Sequence, residues 1–336
     1  MVELIKIGRQ IAMLRKEKGL TGEKLAEILQ VSPQAVSKWE NGKCLPETAL
    51  LPILAKALDC SVDTLLMPSD KAYTTEENEK VEDFYEHTDE DTRLGPHSIE
   101  FTRSKTIISR YLFDRNMEIA DVCGGTGPYA FWLAEKGHNV HLLDLVQKHI
   151  DIAKQKEKTG KIALSSYTCA DARDLPYEDE SMDVVLLMGA LYHLQSQDSR
   201  IKCLTEAFRI LKPYGHIICT VINRYASLAS ILKWNLLLDD IDAIEKFINT
   251  GMHDGFNLQH AYSHTPGEII AELSTAGFKN VNTIAVEGIA HAFGDNTWPT
   301  GEKEAARLLK CIELSELIPE QLGISRNIIA VGKKVN

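Results

Sequence analysis

Beyond residue 118, short apolar runs alternate with longer segments whose apolar residues recur at helical spacing. Ile119 to Asp121, Val140 to Leu143, Val184 to Met188 and His216 to Ile222 read as strands, and Pro128 to Gly137 and Asp198 to Leu211 as helices between them. This alternation predicts βαβ units and a parallel sheet. Thr265-Pro266-Gly267-Glu268 is a capping box opening a further helix that Gly277 stops, and Val281 to Glu287 and Asn327 to Val331 read as two closing strands. The amino end follows a different rule. Leu4, Ile7, Ile11 and Leu14 fall on one helical face, Gly19 ends that helix, and Thr21 caps a second carrying Leu25, Ala26 and Ile28. Ser32 caps a third helix, Pro33 to Glu40, which turns Val36 and Trp39 inward, and two more, about Pro46 to Leu58 and Val62 to Leu66, complete a five-helix unit.

Domain limits follow: residues 1–68 as the helical unit, 69–94 as an acidic linker or lid, and 95–336 as the α/β domain, with 224–264 a mostly helical insertion on its substrate side. Glu76, Glu77, Glu79, Glu82, Asp83 and Glu86 make the middle segment read as a solvated linker or helix face. Phe84, Tyr85 and Arg93, just ahead of a helix expected over Pro96 to Phe113, give the competing reading of a lid.

With 336 residues and 44% hydrophobic positions, the chain can bury one large and one small core. The net charge of −11 argues against general affinity for nucleic acid. It is unevenly placed, however: residues 1–66 hold nine Lys or Arg against eight Asp or Glu, a balance of +1, and the remainder carries −12. Any DNA contact is therefore expected at the amino end. Seven cysteines without a C-x-x-C pair suit a reducing cytoplasm, and no zinc site is expected. The lack of an 18-residue apolar run or a cleavable leader leads to the expectation of a soluble, cytoplasmic protein without a membrane partner.

The chemistry centres on Ile119 to Leu145. An apolar strand ends in Asp121, Gly124, Gly125 and Gly127 permit a tight turn and close approach to a ligand, and the next strand ends in Asp144, 23 residues later. A carboxylate there can accept both hydroxyls of a ribose. Gly125 to Ala130 also fits the dinucleotide pattern G-x-G-x-x-A, so the glycines alone do not separate a nicotinamide cofactor from S-adenosylmethionine. Further on come Asp171-Ala172-Arg173-Asp174-Leu175-Pro176 and then Ser181-Met182-Asp183 before the fourth strand. In this order the chain from about residue 94 onward resembles the class I S-adenosylmethionine-dependent methyltransferases. The resemblance implies a Rossmann-like domain with a seven-stranded, mostly parallel sheet and an antiparallel last strand, and S-adenosyl-L-methionine as cofactor. It assigns Asp171 to the adenine amino group, the Ala172 amide to the ring and Asp144 to the ribose. Asp121 and the glycine loop go to the methionine end, with Leu145 and Met188 in the same cofactor-binding set. Cys123 departs from the family's pattern, which usually has a glycine there.

The run TGEKLAEILQVSPQAVSKWENGKCLPE resembles the Cro/repressor (Xre) type of helix-turn-helix domain. That likeness implies a DNA operator as partner. Gln34 and Lys38 would face base edges, Ser37 a base or a phosphate, and Ser32, Asn41 and Lys43 the phosphate backbone. Gly22 replaces the polar residue the family often has at the start of its second helix. Such readers commonly bind as two-fold dimers on half-sites about one turn apart, so a homodimer is expected.

Methyl transfer is an in-line displacement that depends chiefly on alignment, with a base needed only where the acceptor keeps its proton. His193 and Tyr192, in the loop after the fourth strand, are the candidate catalytic residues. The same His193 could serve only in packing or hydrogen bonding. Tyr85, Tyr129 and Trp132 are candidates to face a sulfonium, Trp132 also fitting a core position. Trp234, Phe247, His253, Phe256, His260, Tyr262 and His264 belong to the insertion, and the histidines' spacing fits no common metal pattern. Gly189-Ala190-Leu191-Tyr192 lacks the prolines of a flipped-base clamp, and no cysteine follows a proline, which argues against methylation of DNA bases. The expectation is a methyltransferase for a small-molecule acceptor joined to a sequence-specific DNA reader. The alternatives are a non-catalytic metabolite sensor that biases DNA binding and, third, an oxidoreductase.

Overall fold

The computed structural model describes residues 2–66, 70–88, 98–113, 116–233, 240–253, 261–293, 299 and 301–335. Arg93, Pro96, Trp234, Phe256 and His260, all singled out above, lie outside the described residues. The chain forms two compact units, 1–80 and 81–336.

The first unit holds α1 (Val2–Glu17), α2 (Gly22–Leu29), α3 (Pro33–Glu40), a 3-10 turn (Thr48–Leu50), α4 (Leu51–Ala57) and α5 (Val62–Leu66). Thr21 caps α2 through the Lys24 amide, and Ser32 caps α3 through the Ala35 amide with Pro33 in the first turn. One core collects Ile7, Ile11, Leu25, Val36, Trp39 and Leu54. Gly8 lets α1 and α3 meet closely, since a Cβ there would strike the Trp39 carbonyl. Arg15 Nε donates to Glu40 at 2.6 Å and ties the same two helices. The expected fourth helix over Pro46 to Leu58 is divided: a 3-10 turn precedes α4, with Pro52 in the first turn of α4. Helix α6 (Asp70–Glu86) occupies most of the segment read as linker or lid, and the boundary between the units falls within it, after Lys80.

The second unit continues with α7 (Ile99–Ser109), β1 (Glu118–Val122), α8 (Pro128–Glu135), β2 (Asn139–Asp144), α9 (Gln147–Thr159), β3 (Ser166–Cys169) and β4 (Met182–Leu187). After it come α10 (Gln197–Ile210), β5 (Leu211–Ile222), α11 (Arg224–Lys233), α12 (Ile241–Thr250), α13 (Pro266–Thr275) and β6 (Lys279–Ala285). Helices α14 (Glu302–Ser315) and α15 (Pro319–Ile324) precede β7 (Asn327–Lys333). The described strands form a seven-stranded sheet ordered β3-β2-β1-β4-β5-β7-β6. β1 to β5 pair in parallel, and β7 runs antiparallel to β5 and β6. This is the Rossmann-like, mostly parallel arrangement expected from the resemblance.

Period-two alternation sorts the strands' side chains onto two faces. Ala120, Val122, Val185, Leu187, Ile217 and Cys219 pack under α10 and α13, whereas Ile119, Val140, Leu142, Val184, Leu186 and Ile218 pack with α7, α8 and α9. At roughly 1.5 to 3 kcal/mol for each fully buried large apolar side chain, these layers dominate the unit's stability. β4, buried at every position, is its centre. Lys212 to Gly215, between the expected helix and the expected strand, form an irregularity inside β5: Tyr214 takes φ 68° and its amide donates to the Lys334 carbonyl at 2.8 Å. The capping box of α13 is present, Glu268 accepting from the Thr265 amide and the Thr265 hydroxyl oxygen from the Glu268 amide.

Candidate functional site

The strand order reverses between β1 and β4, and in open α/β sheets ligands bind at the carboxyl ends beside such a reversal. β1 delivers Asp121 there. The chain then turns through Cys123 (φ 57°), Gly124, Gly125 (φ 58°) and Gly127 (φ 84°) into α8. The residue that broke the glycine pattern thus has a left-handed backbone, at a cost of about 1 to 2 kcal/mol for a non-glycine. Gly124 admits no side chain: its Cβ would lie 2.5 Å from Leu142 Cδ1 and 2.6 Å from Asp121 Oδ2.

Asp121 is fully buried, and among the described residues no donor makes a well-aligned hydrogen bond to either carboxylate oxygen, the Ala130 amide approaching only weakly. Burial, and secondly the charge of Asp144, push its carboxyl up to about 7, while the Ala130 amide pulls weakly the other way. Burial likewise raises the Cys123 thiol well above its usual range, with Asp144 adding to it, so Cys123 is a neutral thiol rather than a nucleophile.

At the end of β2, Asp144 is held in place on both oxygens. Oδ2 accepts the Gly125 amide at 2.8 Å; Oδ1 accepts the Val146 amide at 2.9 Å and meets His149 Nδ1 at 3.0 Å. Asp171, two residues beyond β3, is gripped by Arg173, whose backbone amide and Nε reach Oδ1 at 2.8 and 2.9 Å and whose Nη2 reaches Oδ2 at 2.7 Å. The Arg173 side chain is 1% exposed and that of Asp171 22%, so the guanidinium is sealed in while the carboxylate rim stays open. Ala172 and Met188 are buried and Leu145 half-buried nearby in sequence, the Met188 sulfur 3.4 Å from the Thr220 hydroxyl.

After β4, Tyr192 and His193 sit on a loop fastened from two sides. The Tyr262 amide donates to the Tyr192 carbonyl at 2.8 Å, and Arg200 Nη1 donates to the carbonyls of Leu194 and Gln195 at 3.0 and 2.8 Å. Arg200 also forks onto Glu272, which meets His264 Nε2 at 3.1 Å, and its guanidinium lies 3.6 Å from the Tyr262 ring centre. Burial pushes the His264 imidazole below its ordinary value against the pull of Glu272. His253 meets the Ser263 hydroxyl at 2.7 Å. Of the three candidate aromatics, Tyr85 reaches this region: its hydroxyl lies 2.8 Å from His193 Nε2 and its ring 4.9 Å from that of His149. Tyr129 packs on Phe101 at 5.0 Å, and Trp132 lies under Lys105 and Lys136 at 6.0 and 5.4 Å, both against the core.

Sequence reading passed over His149, Arg173, Arg200 and Glu272. For His149 a signal existed, a histidine in the first helical turn after a strand-end carboxylate; Arg200 and Glu272 meet across 72 residues and left none. In the helical unit, Gln34, Ser37, Lys38, Asn41, Lys43 and Ser32 are all exposed. Asn41 Nδ2 donates to the Ser37 carbonyl at 2.7 Å and closes the end of α3.

A glycine turn between two strand-end carboxylates, in a sheet of this order, defines a nucleoside-binding α/β domain of the class I methyltransferase type. Residues 120–219 match the methyltransferase domain family, and residues 11–65 match the helix-turn-helix family. The ubiquinone/menaquinone biosynthesis C-methyltransferase UbiE of Bartonella quintana is 32% identical over 108 residues, covering 31% of this chain and 40% of that protein. Its counterpart in Brucella canis is 34% identical over 103 residues, with 30% and 37% covered. The chain thus spans about 40% of the length of the curated relatives it matches. Among solved structures, an S-adenosylmethionine-dependent methyltransferase of Methanosarcina mazei aligns at TM-score 0.48 and 18% identity over 68% of this chain and 97% of that one. Phosphoethanolamine N-methyltransferase 2 of Haemonchus contortus, in complex with phosphomonomethylethanolamine and S-adenosylhomocysteine, aligns at TM-score 0.46 and 15% identity, over 70% and 53%. Residues 11–65 are thus similar to helix-turn-helix domains and residues 120–219 to methyltransferase domains, whose usual methyl donor is S-adenosylmethionine.

The residues at the strand ends fit that cofactor. Asp121 presents buried oxygens without a well-aligned partner in the protein, and Asp144, held on both oxygens by backbone amides, keeps further lone pairs for a ligand. No described helix is long and apolar enough to cross a membrane.

Proposed function

We propose that this protein methylates a small molecule and that its helix-turn-helix unit reads a DNA operator in the service of transcriptional regulation. The observation that carries the reading is the convergence of Asp121, the left-handed turn at Cys123 and Gly125, and Asp144 at neighbouring strand ends. S-adenosylmethionine supplies an electrophilic methyl group on a sulfonium. Asp144 accepts the ribose hydroxyls, and Asp171, steadied by Arg173, turns its open rim to the adenine amino group while the Ala172 amide faces the ring. Leu145 and Met188 give apolar walls. Asp121 balances positive charge at the methionine end. His193, with Tyr192 beside it, takes the proton of an acceptor that keeps one, and residues 224–264 shape the acceptor's place. In the reader, Gln34 and Lys38 meet base edges, Ser37 a base or phosphate, and Ser32, Asn41 and Lys43 phosphates, within a homodimer on a two-fold operator. The small-molecule acceptor is supported by the names of the matched relatives, enzymes of quinone biosynthesis.

Calorimetric titration with S-adenosylhomocysteine and a tritium-transfer assay on a metabolite extract test the reading together. Binding plus a labelled small product supports it. Tight binding with no labelled product from any fraction supports a sensor instead, and binding of NADH in place of S-adenosylmethionine an oxidoreductase.

A further inference from the structure

Tyr85 lies near the end of α6, 35 residues ahead of the stretch matched as a methyltransferase domain, yet it is bound into the site on three sides. Its hydroxyl is 2.8 Å from His193 Nε2. The edge of its ring meets His149 at 4.9 Å, and His149 in turn contacts Asp144. Lys148 Nζ donates to the carbonyls of Tyr85 and Glu86 at 3.2 and 2.9 Å, placing a cation on the carboxyl end of α6, where the helix dipole favours it. Phe84 backs the arrangement, 5.0 Å from Tyr85 and 6.4 Å from His193.

The direction of the Tyr85–His193 bond follows from the two groups' chemistry. A phenol is the better donor and a bare imidazole nitrogen the better acceptor, so the hydroxyl donates and Nε2 accepts. We propose that Tyr85 acts with His193 as a relay, fixing a neutral imidazole that carries its proton on Nδ1, covering the Nε2 lone pair and handing it the acceptor's proton. This rests on the reading of His193 as the base and adds a consequence. A proton leaving the acceptor passes to the Tyr85 oxygen as the hydroxyl's own proton passes to Nε2. One O–H bond breaks and another forms on the same oxygen, Nε2 gains an N–H, and the acceptor atom keeps its electron pair. A residue outside the α/β core thereby governs the base inside it.

The test uses the full chain labelled with 15N in its histidine rings, the His193 signals assigned by their loss in His193→Gln, and S-adenosylhomocysteine as probe. In the parent at mildly alkaline pH, His193 should show a protonated Nδ1 and a bare Nε2. In Tyr85→Phe, which keeps the ring against His149, the proton should move to Nε2, its ordinary preference in a free imidazole. S-adenosylhomocysteine should bind both within about twofold, since the ring stays against His149 and only the hydroxyl facing His193 is removed. A parent already protonated on Nε2, or a tautomer unchanged by the substitution, overturns the proposal. So does a loss of probe binding of about tenfold or more with the tautomer unchanged, which would make Tyr85 part of the cofactor's clamp. A parent that does not bind the probe would sink the methyltransferase reading itself, while the tautomer result still decides the role of Tyr85.

Discussion

Replacing Asp121 by Asn removes one charge from a place where the protein does not solvate it, and the consequence can be worked through. The folded chain holds the Asp121 proton more tightly than the unfolded chain does, its carboxyl standing at about 7 instead of 3.8. Between those values the folded state binds one proton more, so stability falls as pH rises through the window and is lower at every pH above it. Three pH units at about 1.4 kcal/mol each give about 4 kcal/mol. The Asn side chain has nearly the same shape and no charge. Asp121→Asn should therefore match the parent near pH 4 and exceed it by an amount approaching 4 kcal/mol near pH 8, by order of magnitude. Urea unfolding of both proteins at half-unit steps of pH provides the measurement. The difference curve isolates Asp121, because Glu287, raised by burial, and His138, His216 and His264, lowered by burial, titrate alike in both proteins. A difference that stays flat from pH 4 to 8 would refute the reasoning. With the cofactor placed as proposed, the same carboxylate must ionise to meet its positive methionine end. Affinity for S-adenosylmethionine should then strengthen about tenfold per unit as pH approaches 7 and level off beyond it, a dependence absent from the Asn variant.

Three further substitutions address other parts of the molecule. Asp144→Ala should weaken S-adenosylhomocysteine binding by about 1 to 3 kcal/mol by leaving the ribose diol unpaired, and an unchanged calorimetric titration would count against the assignment. Glu272→Gln leaves the buried Arg200 guanidinium without its counter-charge and should cost roughly 3 kcal/mol or more in urea unfolding. A cost under about 1 kcal/mol would mean that the pair adds little to holding the Tyr192–His193 loop. Gln34→Ala combined with Lys38→Ala should abolish discrimination between a selected operator and random DNA, leaving only weak salt-dependent binding. Equal footprints for parent and variant would remove those two side chains from the readout.

What the sequence made legible was whatever lies close along the chain. The glycine turn and Asp144 are joined by a single strand–helix–strand step, and the capping box of α13 is written in four consecutive residues. The helix-turn-helix was legible for the same reason, with Thr21, Ser32 and Pro33 marking its helix starts. Distant pairings were not. Tyr85 and His193 are 108 residues apart, and nothing local to either announces the other. The fifth strand begins at Leu211, earlier than its apolar run suggests, because pairing with Met182 and the Lys334 carbonyl extends it across a proline and a left-handed tyrosine. Helix α14 was not anticipated, although Ala305, Leu308, Leu309 and Ile312 fall on one of its faces, and α15 is too short to show a period. Cys123 shows the converse: a mismatch in the pattern of residue types proved no mismatch in backbone conformation.

The arrangement around Asp144 has one more consequence. After transfer the spent donor, S-adenosylhomocysteine, keeps its adenosine and both ribose hydroxyls, so everything that Asp144 and Asp171 are proposed to hold is the same before and after turnover. Of the proposed contacts, that of Asp121 is the one that meets the charge that disappears. A site built as proposed would part reluctantly with its by-product and fill according to the proportion of fresh to used donor in its surroundings. Joined to the proposed DNA reader, such a site would carry that proportion as its signal.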